Sequence, residues 1–231
     1  MKMKRINILT VLILMLSISY KGNAANQSTE TDSTLSFLPL KKLFVVGDFY
    51  ENGTIDTIFQ HNYSFLNKME IDSVPDYYEE CEDWNYYNCW YKLHDWFREQ
   101  KIETFLTLQT DTLHINFYSS YGLYCLLNIG DVNNDGKDEI AFVVDWFDMT
   151  NVNSCKIYTI CNHEWILLKE FSIHESAFTY ETGEPEPHFT EIKGFLEKRD
   201  GKWFFLDYEE YFETDDDTMK PLELSKCQDK N

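Results

Sequence analysis

The sequence predicts a mainly β protein made of antiparallel meanders, with one short helix. Three observations carry that expectation. Apolar, β-branched runs bounded by turn residues recur along the chain. A glycine–aspartate loop followed by an apolar run occurs twice at a constant offset of 83 residues. Aromatic residues make up 16% of a chain whose net charge is −20, and a disordered acidic chain would be poor in them.

The first residues, MKMKRINILTVLILMLSISYKGNAANQS, read as a secretory signal peptide over 1–24. Lys2, Lys4 and Arg5 precede an apolar run from Ile6 to about Ile18, and Gly22 and Ala24 stand before a plausible cut. The run is short for a bilayer, so no membrane span is expected after cleavage. No cysteine stands at the cut, which disfavours a lipoprotein. The expected location is extracytoplasmic, periplasmic or secreted. Loss of Lys2, Lys4, Arg5 and Lys21 takes the net charge from −20 to −24. A chain so acidic repels nucleic acid. Residues 25–38 read as a flexible leader, 39–213 as a single β domain long enough to bury a core, and 214–231 as an acidic tail expected to fray.

Within the domain, two units are expected at about 43–118 and 124–173. In the first, LFVVGDFYENGTIDTIFQ reads strand, loop, strand, and TFLTLQTDTLHINFY reads as a hairpin turning near Asp111. Between them, about Ile71 to Glu103, lies an aromatic, acidic segment with a helix from about Trp90 to Gln100, its stripe formed by Trp90, Leu93 and Phe97. In the second unit, EIAFVVDWF, SCKIYTIC and EWILLKEFSI are three strands joined by tight turns, with Cys155, Ile157, Thr159 and Cys161 on one face. Such a meander is like one blade of a propeller. The chain has room for about three such units, so a closed, full propeller is not expected. FLEKRDGKWFFLDYEEYF adds a C-terminal hairpin turning at Asp200–Gly201.

The loop GDVNNDGKDEIAFVV, Gly130 to Val144, gathers acids where like charges repel. Counting Asp131 as one, positions one, three, five and nine are Asp131, Asn133, Asp135 and Glu139, and Lys137 at seven offers its backbone carbonyl. Alternate oxygens on a tight loop converge on one point, and calcium takes six to eight oxygens. A divalent cation turns the repulsion into attraction. The loop is not an EF-hand: position twelve is Phe142, not glutamate, and β-formers follow instead of a helix. In the upstream copy, Gly47–Asp48 lies over Gly130–Asp131, Gly53 over Gly136, and Asp56 over Glu139. That copy keeps Asp48, Asn52 and Asp56, but Tyr50 replaces the ligand at position three, so weak binding or a metal-free turn is expected there.

These residues resemble the calcium loop of FG-GAP and VCBS repeats, Gly-Asp-x-Asn/Asp-x-Asp-Gly-x-x-Asp before a strand. The resemblance is close over Leu126–Val144 and weaker over Leu43–Phe59. It implies a β-propeller blade unit of the kind found in integrin-like and bacterial secreted proteins. It also implies calcium ligands at Asp131, Asn133, Asp135, Lys137 (carbonyl) and Glu139. Glutamate at the last position departs from the commoner aspartate. The motif marks a structural module more than an activity.

Six cysteines follow the signal segment: Cys81, Cys89, Cys125, Cys155, Cys161 and Cys227. An even number in an oxidising compartment suggests disulfides. Cys81–Cys89 is the pair singled out, closing an aromatic loop, with free thiols at buried strand positions as the alternative. The aromatic segment Trp84–Trp96 suits a protein or glycan partner, or simply packs on the core. Asp145 and Asp148 beside Trp146 offer a carboxylate pair for glycoside hydrolysis, and any acidic protein yields such pairs by chance. No histidine, serine or phosphate-loop constellation of a catalyst is recognised. The functional expectation is therefore an extracytoplasmic calcium-binding β module with a protein or glycan partner. A secreted glycoside hydrolase and an acidic inhibitor or immunity-like protein are the alternatives.

Overall fold

The structure, a computed structural model, describes residues 36–50, 53–77, 86–178 and 189–227. The expected signal segment, most of the leader and Trp84 lie outside them, as do the side chains of Tyr86 and Tyr87. The protein is mainly β, with antiparallel sheets and two helices.

The chain runs through β1 (Phe37–Pro39), which begins where the leader was expected to end, then β2 (Phe44–Gly47) and β3 (Asp56–Ser64). A four-residue turn leads to β4 (Met69–Glu70), which folds back on β3, and β5 (Ser73–Pro75) pairs with β1. Helix α1 (Tyr86–Glu99) precedes β6 (Ile102–Leu108) and β7 (His114–Asn116). These strands form a sheet in the order β2-β3-β6-β7. The second sheet holds β8 (Ser120–Gly130), β9 (Glu139–Trp146), β10 (Val152–Cys161) and β11 (Glu164–His174), again neighbours in chain order. A 3₁₀ turn (Glu175–Phe178) follows. A third, small sheet combines β12 (Leu196–Arg199), β13 (Lys202–Phe205) and β14 (Lys220–Pro221), with helix α2 (Tyr208–Thr214) between the last two.

The first two sheets are thus both antiparallel meanders, the second four-stranded and the first five-stranded, with β4 added to β3 and the path interrupted by β5 and α1. Their opening hairpins close in the same way. Gly47 pairs with Asp56, and Gly130 pairs with Glu139, at the offset the sequence shows. Tight turns need residues that tolerate positive φ. Asn162 and His163 supply them between β10 and β11, as Asp200 and Gly201 do between β12 and β13.

The second sheet is the middle layer. One of its faces, with Leu126, Ile140, Phe142, Val144 and Ile160, packs on Phe49, Ile58, Leu106, Leu108 and Phe117 of the first unit. Its other face, with Cys125, Leu127, Ala141, Val143, Cys155, Ile157 and Phe171, packs on Leu196, Trp203, Phe205 and Leu222. This is why Ile140–Val144 is continuously apolar rather than alternating: every residue there is buried. Trp203 also donates its indole N–H to the Ile129 carbonyl, 2.7 Å away, fixing the third sheet to the strand that enters the loop. Helix α1 extends further toward its N-terminus than the sequence suggests. Cys89, Leu93 and Phe97, four residues apart, form its buried face, and the Phe97 ring packs on Tyr121 and Phe147.

One expectation needs correction. The segment after Thr214 does not fray across the described residues. Pro221 and Lys220 pair with Phe204 and Phe205, Leu222 is buried, and Cys227 is bridged to Cys161 with Cα atoms 5.9 Å apart. The acidic run Asp215–Asp217 is only a solvated corner between anchored pieces. The cysteines divide between bridged and free. Cys125 and Cys155 are free and buried, facing Val143 from either side. Two strand spacings, roughly 9.6 Å, exceed the Cα separation of a disulfide. Burial pushes the Cys125 thiol up to about 12. Cys89 is buried on α1 and disulfide-bonded, while Cys81 of the singled-out pair lies outside the described residues.

Candidate metal centre

The loop between β8 and β9 folds on its own side chains. Asp131 accepts from the backbone N–H of Asp135 at 2.9 Å and of Gly136 at 3.0 Å. Asn133 Oδ1 accepts from the same Asp135 N–H at 2.8 Å, an orientation assigned from the network. Gly136 has φ +90°, a conformation that side-chain-bearing residues seldom adopt, and it lets the chain reverse here. One carboxylate oxygen from each of Asp131, Asp135 and Glu139 lies within 4.8 Å of the other two. Three of the five sequence-derived positions, the carboxylates, are therefore brought together.

Glu139 is the distinctive member. It opens β9, is 0% exposed, and accepts from the Val132 N–H at 2.8 Å through Oε2. Its Oε1 is buried with no hydrogen-bond partner among the described residues. Burial, with Asp135 and Asp131 nearby, pushes its carboxyl up to about 7, against the lowering effect of backbone N–H groups. A buried carboxylate oxygen left without a partner costs about 1–3 kcal/mol or more. A cation in reach of all three carboxylates removes that cost.

Lys137 does more than the sequence suggests. Its side chain is buried, donates to the Ile160 carbonyl at 3.1 Å, and sits 3.6 Å from Asp135 Oδ2. It balances one carboxylate of the three, on the side facing β10. The donors that remain are all oxygens, and among the described residues no cysteine or histidine joins the cluster. That chemistry fits a hard cation such as calcium rather than zinc.

Three further contributors escaped the sequence reading. Residues 225–227 wall the loop: Asn133 Nδ2 donates to the Ser225 carbonyl at 3.2 Å, Lys226 Nζ to the Asn134 carbonyl at 2.6 Å, and the Cys227 N–H to Asp135 Oδ2 at 3.3 Å. The unpaired status of Cys227 in any short-range scheme was the one signal for this. Asp138 joins the two loops. Its carboxylate accepts from the Asp48 N–H at 3.1 Å and from Asn128 Nδ2 at 2.8 Å, while its own N–H donates to the Asp48 carbonyl at 2.8 Å. Gly47 lies under this bridge, where a Cβ would stand 2.4 Å from Asn128 Nδ2. Asp111 is the third contributor, through Tyr50.

In the upstream loop, Asp48 accepts from the Gly53 N–H at 2.8 Å, the counterpart of the Asp131–Gly136 bond. Asp56 is buried and accepts from the Thr57 N–H and the Thr110 hydroxyl. Asn52 lies outside the described residues. Tyr50 turns away from its own loop, and its hydroxyl donates to Asp111 Oδ2 at 2.7 Å. This bond and burial raise the Tyr50 hydroxyl well above its ordinary range, and the same bond lowers Asp111.

Asp145, from the carboxylate pair beside Trp146, is pushed up to about 6, chiefly by burial and partly offset by its hydrogen bond with Tyr124. Asp148 accepts from the Thr150 N–H and hydroxyl, and Trp146 packs half-buried on the core of the first unit. On α1, Trp96 packs against the cluster around Phe97, Trp90 stacks on His94, and Tyr91 is 52% exposed. In comparisons with known proteins, no family model matches the chain, and neither does any curated protein or solved structure.

Proposed function

We propose that this protein is an extracytoplasmic calcium-binding β module whose two meanders are FG-GAP-type units. Asp131, Asn133, Asp135, Glu139 and the Lys137 carbonyl would hold the ion. Bound there, calcium would neutralise the crowded carboxylates and cross-link the loop to the first residue of β9. The observation that carries this reading is the fully buried Glu139, whose Oε1 has no hydrogen-bond partner among the described residues and whose carboxylate offers an oxygen within 4.8 Å of one from each of Asp131 and Asp135. The Cys161–Cys227 bridge supports an oxidising compartment. The exposed edge of α1 around Tyr91 is the surface assigned to a protein or glycan partner. Calorimetric titration tests the metal: calcium should bind with a dissociation constant on the order of 10⁻⁴–10⁻³ M, and Asp131→Ala with Asp135→Ala should abolish the heat. A heat unchanged in the double variant would place the ion elsewhere.

A carboxylate-dependent glycoside hydrolase is the second reading, favoured by the raised Asp145. Turnover on a glycan panel, lost in Asp145→Asn, is its test.

A further inference from the structure

A cleft of about 550 Å³ lies against the metal loop, its lining including Tyr50, Asp135, Lys137, Asn162, His163 and Lys226. We infer that this cleft is a binding site for an acidic sugar, adjoining the cation site and sharing Asp135 and Lys137 with it, with Lys137 and Lys226 facing the anionic group and Tyr50 and His163 flanking the ring. Four stretches far apart in sequence build it: the upstream loop, the metal loop, the β10–β11 turn and the segment 225–227. A wall so assembled is not a by-product of one turn.

The charge is the first argument. The chain carries 40 acidic and 20 basic residues, yet two lysines and a histidine meet here against one lining carboxylate, Asp135. Lys137 is buried, and its ammonium, with three donors, makes one hydrogen bond, to Ile160, besides its 3.6 Å approach to Asp135. Lys226 is exposed, held by the Asn134 carbonyl. Lysines are point charges that suit a carboxylate or a phosphate oxygen.

Shape gives the second. The Tyr50 and His163 rings stand 5.9 Å apart, inclined at 48°, and Asp111 holds both: the Tyr50 hydroxyl at 2.7 Å and His163 Nδ1 at 3.4 Å. Two inclined rings present an apolar flank of the size of a sugar face. The side-chain amides of Asn134 and Asn162 are exposed beside them, with donors and acceptors for hydroxyls. The volume falls within the range of small-molecule sites, about 300–1,000 Å³, and exceeds what a bare inorganic anion needs.

The upstream repeat supplies the third argument. Tyr50 stands where the downstream loop has Asn133, and there it is a poor metal ligand. It has left its own loop to line the cleft beside the intact one. The departure that weakens the first loop as a cation site is what builds this wall.

The test is a titration followed by amide and side-chain NMR shifts, run in excess chelator so that its outcome does not depend on calcium. Glucuronate, glucose 1-phosphate and glucose are the probes. Because the overall negative field opposes any anion, a dissociation constant on the order of millimolar is expected. At least one of the two acidic sugars should shift Asn134, Asn162 and His163, and glucose should bind at least ten-fold more weakly. The arm that binds tells a carboxylate from a phosphate. Lys226→Gln and His163→Gln, both at exposed positions, should each weaken the acidic sugar several-fold while leaving the melting temperature within a few degrees. The inference fails if neither acidic sugar shifts these residues, if glucose binds as well as they do, or if Lys226→Gln leaves the affinity unchanged.

Discussion

Replacing Glu139 by glutamine separates the charge of this side chain from its shape. In the wild type, a fully buried carboxylate keeps one oxygen unpartnered and faces Asp131 and Asp135 within 4.8 Å. Removing the charge recovers the penalty of about 1–3 kcal/mol for an unmet buried acceptor, less the cost of burying the new amide N–H. A net gain of about 1 kcal/mol is expected in chelator. For a protein of this size, that raises the melting temperature by about 2–4 °C. With calcium the order reverses. A ligand at one hundred times its dissociation constant stabilises the native state by about 2.7 kcal/mol, so the wild type should gain about 5–10 °C. The variant, lacking one carboxylate ligand, should gain little. The assay is a pair of melting curves for each protein, in chelator and in about 10 mM calcium, a concentration set by the expected affinity. A variant less stable than wild type in chelator that keeps the full calcium increment would refute the reasoning, because Glu139 would then be a satisfied structural residue.

Three other outcomes follow from the geometry. Asp145 holds its proton up to about pH 6 when folded and loses it near 3.8 when unfolded, so stability in chelator should fall as pH rises from about 4 to 6. Asp145→Asn should flatten that slope and stabilise at pH 7 by at most about 3 kcal/mol, read from denaturant curves across pH. Reducing Cys161–Cys227, which closes 66 residues of chain, should cost about 4 kcal/mol on the loop-entropy model and weaken calcium binding, because Cys227 touches Asp135; peptide mapping of the unreduced protein should recover this bridge, with Cys125 and Cys155 alkylating only after unfolding. Gly47→Ala should destabilise by about 1–3 kcal/mol, since its Cβ would displace Asn128 and Asp138 and break the bridge between the loops; an unchanged midpoint would show that bridge to be dispensable.

What the sequence makes legible is local. The Gly–acid spacing of both loops is a backbone pattern, and Gly47–Asp56 and Gly130–Glu139 pair as the alignment implies. The alternation in β10 marks Cys155, Ile157 and Thr159 as one buried face. The continuous run Ile140–Val144 shows a strand, but not that it is the middle of three layers, which depends on what covers each face. Less legible is everything that long-range packing decides. Asp138 reads as one more acid in an acidic loop, and only the neighbouring hairpin makes it a bridge. Lys137 reads as a carbonyl donor with a solvated side chain, while in the fold its ammonium is internal. The segment past Thr214 reads as solvated because its acids are adjacent in sequence, whereas its anchors, Leu222 and Cys227, are spaced apart.

The wall of the acidic loop comes late. Asn133 and Asp135 meet Ser225 and Cys227, each 92 residues further along the chain. At roughly 5–20 residues per second, synthesis leaves an interval of about 5–20 s between the loop and its wall. During it, both meanders can pair their strands, because their contacts are sequential, but the carboxylates lack one side of their enclosure. Cys161 waits as well, 66 residues ahead of its partner, while thiols translated earlier compete for it. Before β8 and β10 are packed, Cys125 and Cys155 belong to that competition. Production in an oxidising compartment should therefore depend on disulfide isomerisation, with trapped mispaired chains as the by-product. The yield of native protein should rise when calcium organises the loop before the last cysteine arrives.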